Sequence, residues 1–102
     1  MGYEYHLHLK PEIANIEPLL QKSLDPKYRI IPSAILNQAS KQTFGIATEE
    51  TINTKWPHIC DLLLENNNLI YVLCHSNEGG LLMNQFIHQL QQAGYNVQIE
   101  DV

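Results

Sequence analysis

The chain has 102 residues, a formal net charge of −5 and 44% hydrophobic residues, so it is one domain with enough apolar side chain to fold around a core without staples. No run of about 18 apolar residues crosses a membrane. Met1-Gly2-Tyr3-Glu4-Tyr5 is neither basic nor followed by an apolar core, so no secretory signal is read and the reducing cytoplasm is the expected compartment.

Tyr3–Lys10 alternates without a fault: Tyr3, Tyr5, Leu7 and Leu9 share one face, while Glu4, His6, His8 and Lys10 share the other. This predicts a half-buried strand, ended by Pro11, which has no N–H for a ladder. Ile13, Ile16, Leu20 and Leu24 then form a helical stripe. Pro18 fits it only in a first turn, with Asn15 as cap and the helix running to about Leu24. Asp25-Pro26 is a turn and Tyr28–Ile31 a short strand closed by Pro32.

Ser33–Ser40 reads either as a short helix capped by Ser33 or as a loop. Lys41–Ala47 is a third strand with Gly45 as a candidate bulge, and Glu49-Glu50 suits a helix's first turn or a loop. From Thr54 to Glu65 the spacing of Trp56, Ile59, Cys60 and Leu63 predicts a helix whose wet side holds Thr54, His58, Asp61 and Glu65. Asn66-Asn67-Asn68 ends it.

The last third reads as strand, loop, helix, strand. Leu69–Cys74 is an unbroken apolar run, and His75–Gly80 interrupts it with turn residues. Leu82, Met83, Phe86, Ile87 and Leu90 then make one buried helical stripe. Gly94 stops that helix as a C′ residue, and Tyr95–Glu100 alternates as a strand. Strand, covering helix and second strand predict a parallel unit with a right-handed crossover. The expected fold is a two-layer α/β (α+β) sandwich, ferredoxin-like in character. Its four- or five-stranded mixed sheet would carry about three helices, mainly on one face. The wet face of the first strand would then look out on the uncovered side, beside Gln98 and Glu100 if those strands are neighbours.

Four features bear on chemistry. His6-Leu7-His8 sets two histidines on one strand face with their Cα atoms about 7 Å apart. That is a solvated face, a pair of metal ligands or an acid–base group, and a zinc site would need further ligands from Glu4, His75 or Glu100. His75–Gly80 lies between a strand end and a helix start, where an anion can sit. A cap at Ser76 or Asn77 explains the loop equally, and Glu78 would repel a phosphate. His58, Asp61 and Glu65 share a predicted helix face that offers either metal ligands or solvated charge. Cys60 and Cys74 fall in apolar patterns and read as buried thiols, with a disulfide or a reactive thiol as the alternatives, and Cys74 and His75, as strand neighbours, point to opposite faces. No GxSxG, HExxH or CxxC pattern is present, no complete catalytic set is found, and no cofactor is implied.

Charge is unevenly placed. Lys10, Lys22, Lys27, Arg29, Lys41 and Lys55 are balanced within the first 55 positions by Glu4, Glu12, Glu17, Asp25, Glu49 and Glu50. From Trp56 onward there is no Lys or Arg, only Asp61, Glu65, Glu78, Glu100 and Asp101, so the whole excess belongs to that half. Such a field disfavours nucleic acid and favours a basic partner.

In size, acidity and order of elements the chain resembles the immunity proteins of bacterial toxin–immunity systems, including contact-dependent growth inhibition. The resemblance runs over the opening strand Tyr3–Lys10, the helix after it, the mid-chain Arg29-Ile30-Ile31-Pro32-Ser33 and the closing strand–helix–strand. It implies a non-enzymatic cytoplasmic inhibitor, a monomer or weak homodimer, that binds a cognate basic toxin domain such as a nuclease. The expected contact residues are Asp61, Glu65, Glu78, Glu100 and Asp101, with Tyr71 and Tyr95 as aromatic anchors. The rival is a small metal-binding protein or hydrolase using His6 and His8.

Overall fold

The structure, a computed structural model, describes residues 3–32 and 42–101. Its elements in chain order are β1 (Tyr3–Lys10), α1 (Glu17–Ser23), β2 (Tyr28–Ile31), β3 (Gln42–Thr48), β4 (Cys60–Asn66), β5 (Leu69–Cys74), α2 (Asn77–Gln92) and β6 (Asn96–Asp101). The six strands form one sheet in the order β2-β3-β4-β5-β1-β6, and every neighbouring pair is antiparallel. Both helices lie on one face, so the two-layer expectation holds. The sheet is antiparallel rather than mixed, with six strands instead of four or five. Two helices stand among the described residues instead of about three. The Ser33–Ser40 alternatives lie outside the described residues.

The closing strand–helix–strand is not a directly paired parallel unit. β1 sits between β5 and β6 and is antiparallel to both: Tyr5 faces Val72 on one side and Asp101 on the other. Tyr5, Leu7 and Leu9 are all buried, so β1 belongs in the middle of the sheet, and α2 carries the chain across it.

The larger correction is the helix expected over Thr54–Glu65. Residues 54–59 are loop, and Cys60–Asn66 is the strand β4 between β3 and β5. A strand buried on both faces shows no alternation, and its apolar run imitates a helical stripe. Cys60, Leu62 and Leu64 point into the core, while Asp61 and Leu63 are buried on the opposite face. Trp56, expected inside, is 51% exposed, and Asp61, expected wet, is fully buried.

The core lies between sheet and helices. The α2 stripe from Leu82 to Leu90 packs over Leu7, Leu62, Ile70 and Val72, and α1 lies alongside α2 through Leu20. The Ser76 hydroxyl caps α2 by accepting from the Gly79 N–H at 3.1 Å. A Cβ on Gly79 would stand 2.2 Å from the Ile59 carbonyl oxygen, so glycine lets the helix start against the lead-in to β4. Gly94 ends α2 at φ +100°, as a C′ glycine should. At α1, Pro18 occupies the first turn and Asn15 Oδ1 accepts from the Glu17 N–H at 3.0 Å, one residue ahead of the cap. Cys60 and Cys74 oppose each other across β4 and β5 within the core, both as thiols, and burial holds the Cys60 thiol well above its ordinary range. Among the described residues no helix is long and apolar enough to cross a membrane.

Candidate functional site

The face of the sheet turned away from α1 and α2 holds two clusters, each of one carboxylate and two histidines. The first is at the β1–β6 edge. The register sets His6 opposite Glu100 and His8 opposite Gln98, the neighbourhood anticipated for the wet side of β1. His8 Nε2 donates to Glu100 Oε1 at 3.1 Å, and His6 Nδ1 lies 3.4 Å from the same oxygen. Hydrogen bonding from His8, helped by His6, holds the Glu100 carboxyl below its ordinary range. On its other side His6 stacks on Tyr71, with ring centroids 4.2 Å apart and planes within 14°. The Glu100 side chain stays 60% exposed.

The second cluster is dry. Asp61 faces Gly45 on β3 and Leu73 on β5, with no exposed surface. His75, just past β5, donates from Nε2 to Asp61 Oδ2 at 2.7 Å. His58, in the loop before β4, brings Nδ1 to 3.2 Å from Oδ1. That approach lacks the alignment of a hydrogen bond, so both atoms are buried without a hydrogen-bonded partner. Trp56 roofs the pair, its ring 5.4 Å from both imidazoles and edge-on to His75.

Local sequence explains how this cluster closes. Gly45 is no bulge: it sits in regular register with Ile31 and Asp61. A Cβ there would fall 2.7 Å from His58 Nδ1, so the missing side chain is the space the imidazole fills. The loop is pinned by Thr51, whose Oγ1 donates to the Pro57 carbonyl at 2.8 Å. Two backbone bonds complete it, Ile59 N–H to Ile46 O at 2.8 Å and His75 N–H to Ile59 O at 2.9 Å. The Asp61–His75 pair fixes an imidazole in one orientation, the arrangement a general base needs. A buried carboxylate also needs such partners simply to be tolerated.

The expected contact residues separate. Tyr71 and Glu100 meet through His6, and Asp101 follows on β6 opposite Tyr5. Asp61 is sealed within the second cluster. Glu65 is half-buried near the end of β4. Glu78 lies in the first turn of α2, where it accepts from the Tyr28 hydroxyl at 3.2 Å and pairs with Lys27 at 3.3 Å. Burial, reinforced by Glu78, raises the Tyr28 hydroxyl, and the hydrogen bond to Glu78 raises the Lys27 ammonium. Tyr95 packs against the core on the helical side. The helix face expected from His58, Asp61 and Glu65 does not exist, since β4 and its lead-in loop carry these residues. Among the described residues no group of three or more His, Cys, Asp and Glu is disposed to hold a metal ion.

Sequence periodicity groups His58 with Asp61, but on a helix face, and does not join His75 to them, although one signal points there. A lone acid inside Ile59–Leu64, if that run is a strand, has to find a buried partner. The chain matches no protein-family model, no curated protein and no solved structure.

Proposed function

We propose that this chain is a non-catalytic inhibitor that binds and neutralises a basic protein, in the manner of the toxin-immunity proteins it resembles. The observation that carries the reading is where exposed acids lie that, among the described residues, pair with no Lys or Arg. Glu100 and Asp101 close β6, and Glu4 stands beside them on β1, next to the Tyr5–Asp101 pairing. All three are exposed. Lys10, at the other end of β1 opposite Asn96, is five residues from Tyr5, about 17 Å along the strand. An exposed acidic end of this kind steers a cationic surface toward itself, and the His6–Tyr71 stack offers a flat aromatic contact beside it.

The alternative of a metal or acid–base site on His6 and His8 gains Glu100 as a neighbour of both rings, but among the described residues no group of three or more His, Cys, Asp and Glu is disposed to hold a metal ion. The test is capture from the native cells with a lightly tagged chain at low and high salt, followed by mass spectrometry. A basic protein held near one-to-one and released by salt is the expected result. Retention of no basic protein, with a stoichiometric metal travelling with the chain, would overturn the reading in favour of His6 and His8.

A further inference from the structure

The sheet has two edge strands, and they are not equally guarded. β2 is four residues long, lies between Pro26 and Pro32, and carries Arg29, which pairs with Glu49 at 3.0 Å. Short length, proline and cationic side chains are the devices that keep an edge from pairing with another strand. β6 is less protected: its six residues include no Pro, Lys or Arg, its charges are the two acids at its end, and Ile99 is 57% exposed. On its inner side β6 is paired by β1, so alternate N–H and C=O groups point outward. Among the described residues no backbone group bonds to that outer side. On the inner side of that edge, a groove of about 620 Å³ lies across the end of the β1–β6 pair, lined by His8, Lys10, Asn68, Asn96, Gln98 and Glu100.

We propose that the outer edge of β6 takes an extended, lysine- or arginine-bearing segment of the partner as a seventh strand, its cations meeting Glu100 and Asp101. The inference rests on the reading that the partner is basic and adds where and in what conformation it is held. Backbone pairing supplies the affinity and the acidic end supplies the selection, which is the logic of strand addition at a sheet edge. A second copy of the chain is the poorer occupant, because its own β6 brings the same two acids and no cation.

The test uses the full chain with backbone ¹⁵N label and two synthetic peptides, acetyl-Lys-Val-Lys-Val-Lys-Val-Lys-amide and its glutamate counterpart, read by amide hydrogen exchange. The lysine peptide is expected to slow exchange of alternate β6 amides, Asn96 to Asp101, and the glutamate peptide to leave them unchanged. The Glu100→Gln/Asp101→Asn variant is expected to weaken lysine-peptide binding about fivefold, the effect of two exposed ion pairs. Ile99→Lys, which installs the guard that β2 has, is expected to weaken it further. Equal binding of both peptides, protection outside β6, or β6 protection that grows with protein concentration alone would each overturn the proposal. The two readings also fail separately. A captured basic protein that binds yet leaves β6 exchange unchanged refutes the edge while leaving the inhibitor reading standing, whereas capture of no basic protein refutes the inhibitor reading.

Discussion

Asp61 and Glu100 lie on the same face of the same sheet, and each is approached by two histidines at 3.4 Å or less, yet the two clusters are suited to opposite tasks. Asp61 has no exposed surface, is boxed by Gly45 and Leu73, and is roofed by Trp56. Glu100 stands in solvent on an edge strand. Charges in water are screened and their pairing is worth little, whereas a buried carboxylate stripped of its partners is costly. The same residue types therefore hold a loop in place at one end of the face and leave an acid exposed to solvent at the other.

The comparison is broken most forcefully at Asp61. Asp61→Ala leaves His75 Nε2 without its acceptor and opens a hole near the start of β4. The expected loss is about 3 kcal/mol or more, and thermal unfolding in a domain of this size should show it as a fall in Tm of about 12 °C or more. Gly45→Ala approaches the same cluster from β3, through a Cβ 2.7 Å from His58 Nδ1. It should cost about 1–3 kcal/mol in urea unfolding as His58 is pushed from its slot. His75→Ala strips Asp61 Oδ2 of its donor and should cost about 1–3 kcal/mol. Because Trp56 is the chain's one tryptophan and touches that ring, its fluorescence should change in the same variant.

At the wet end, Glu100→Gln should leave Tm unchanged within error. A drop as large as that of His75→Ala would erase the distinction between the clusters. The pH dependence there is specific. Since the Glu100 carboxyl is held below its ordinary value of 4.5, its small stabilising effect is complete above that pH and fades as pH falls through the lowered value. By NMR titration Glu100 should move up toward 4.5 in His8→Ala, and less so in His6→Ala, because the His8 hydrogen bond is the larger cause.

Much of this architecture is written locally in the chain. The alternation of Tyr3–Lys10, the stripe of Leu82–Leu90, the Ser76 cap and the Gly94 stop each depend on a few neighbouring residues, and each stands where the pattern put it. β4 is different. Its inward and outward side chains are both buried, so Cys60 and Leu63 of the strand line up with Trp56 and Ile59 of the preceding loop as an apparent helical stripe. The place of β1 between β5 and β6 depends on pairing across more than sixty positions, which no local period reports. The two clusters divide in the same way. His6 and His8 were visible as an i, i+2 pair, and Glu100 as their partner once the strands were neighbours. Asp61, His58 and His75 come together only if residues 60–66 are a strand; a helix there sets His58 and Asp61 on a wet face and leaves His75 apart, in the loop before α2.

The measurement that bears most directly on this account is the affinity of the Glu100→Gln/Asp101→Asn chain for the captured basic protein, taken at low and high salt beside the unaltered chain. The account predicts weaker binding, a flatter salt dependence and an unchanged Tm. Equal affinity and an equal salt slope in the two chains would contradict it.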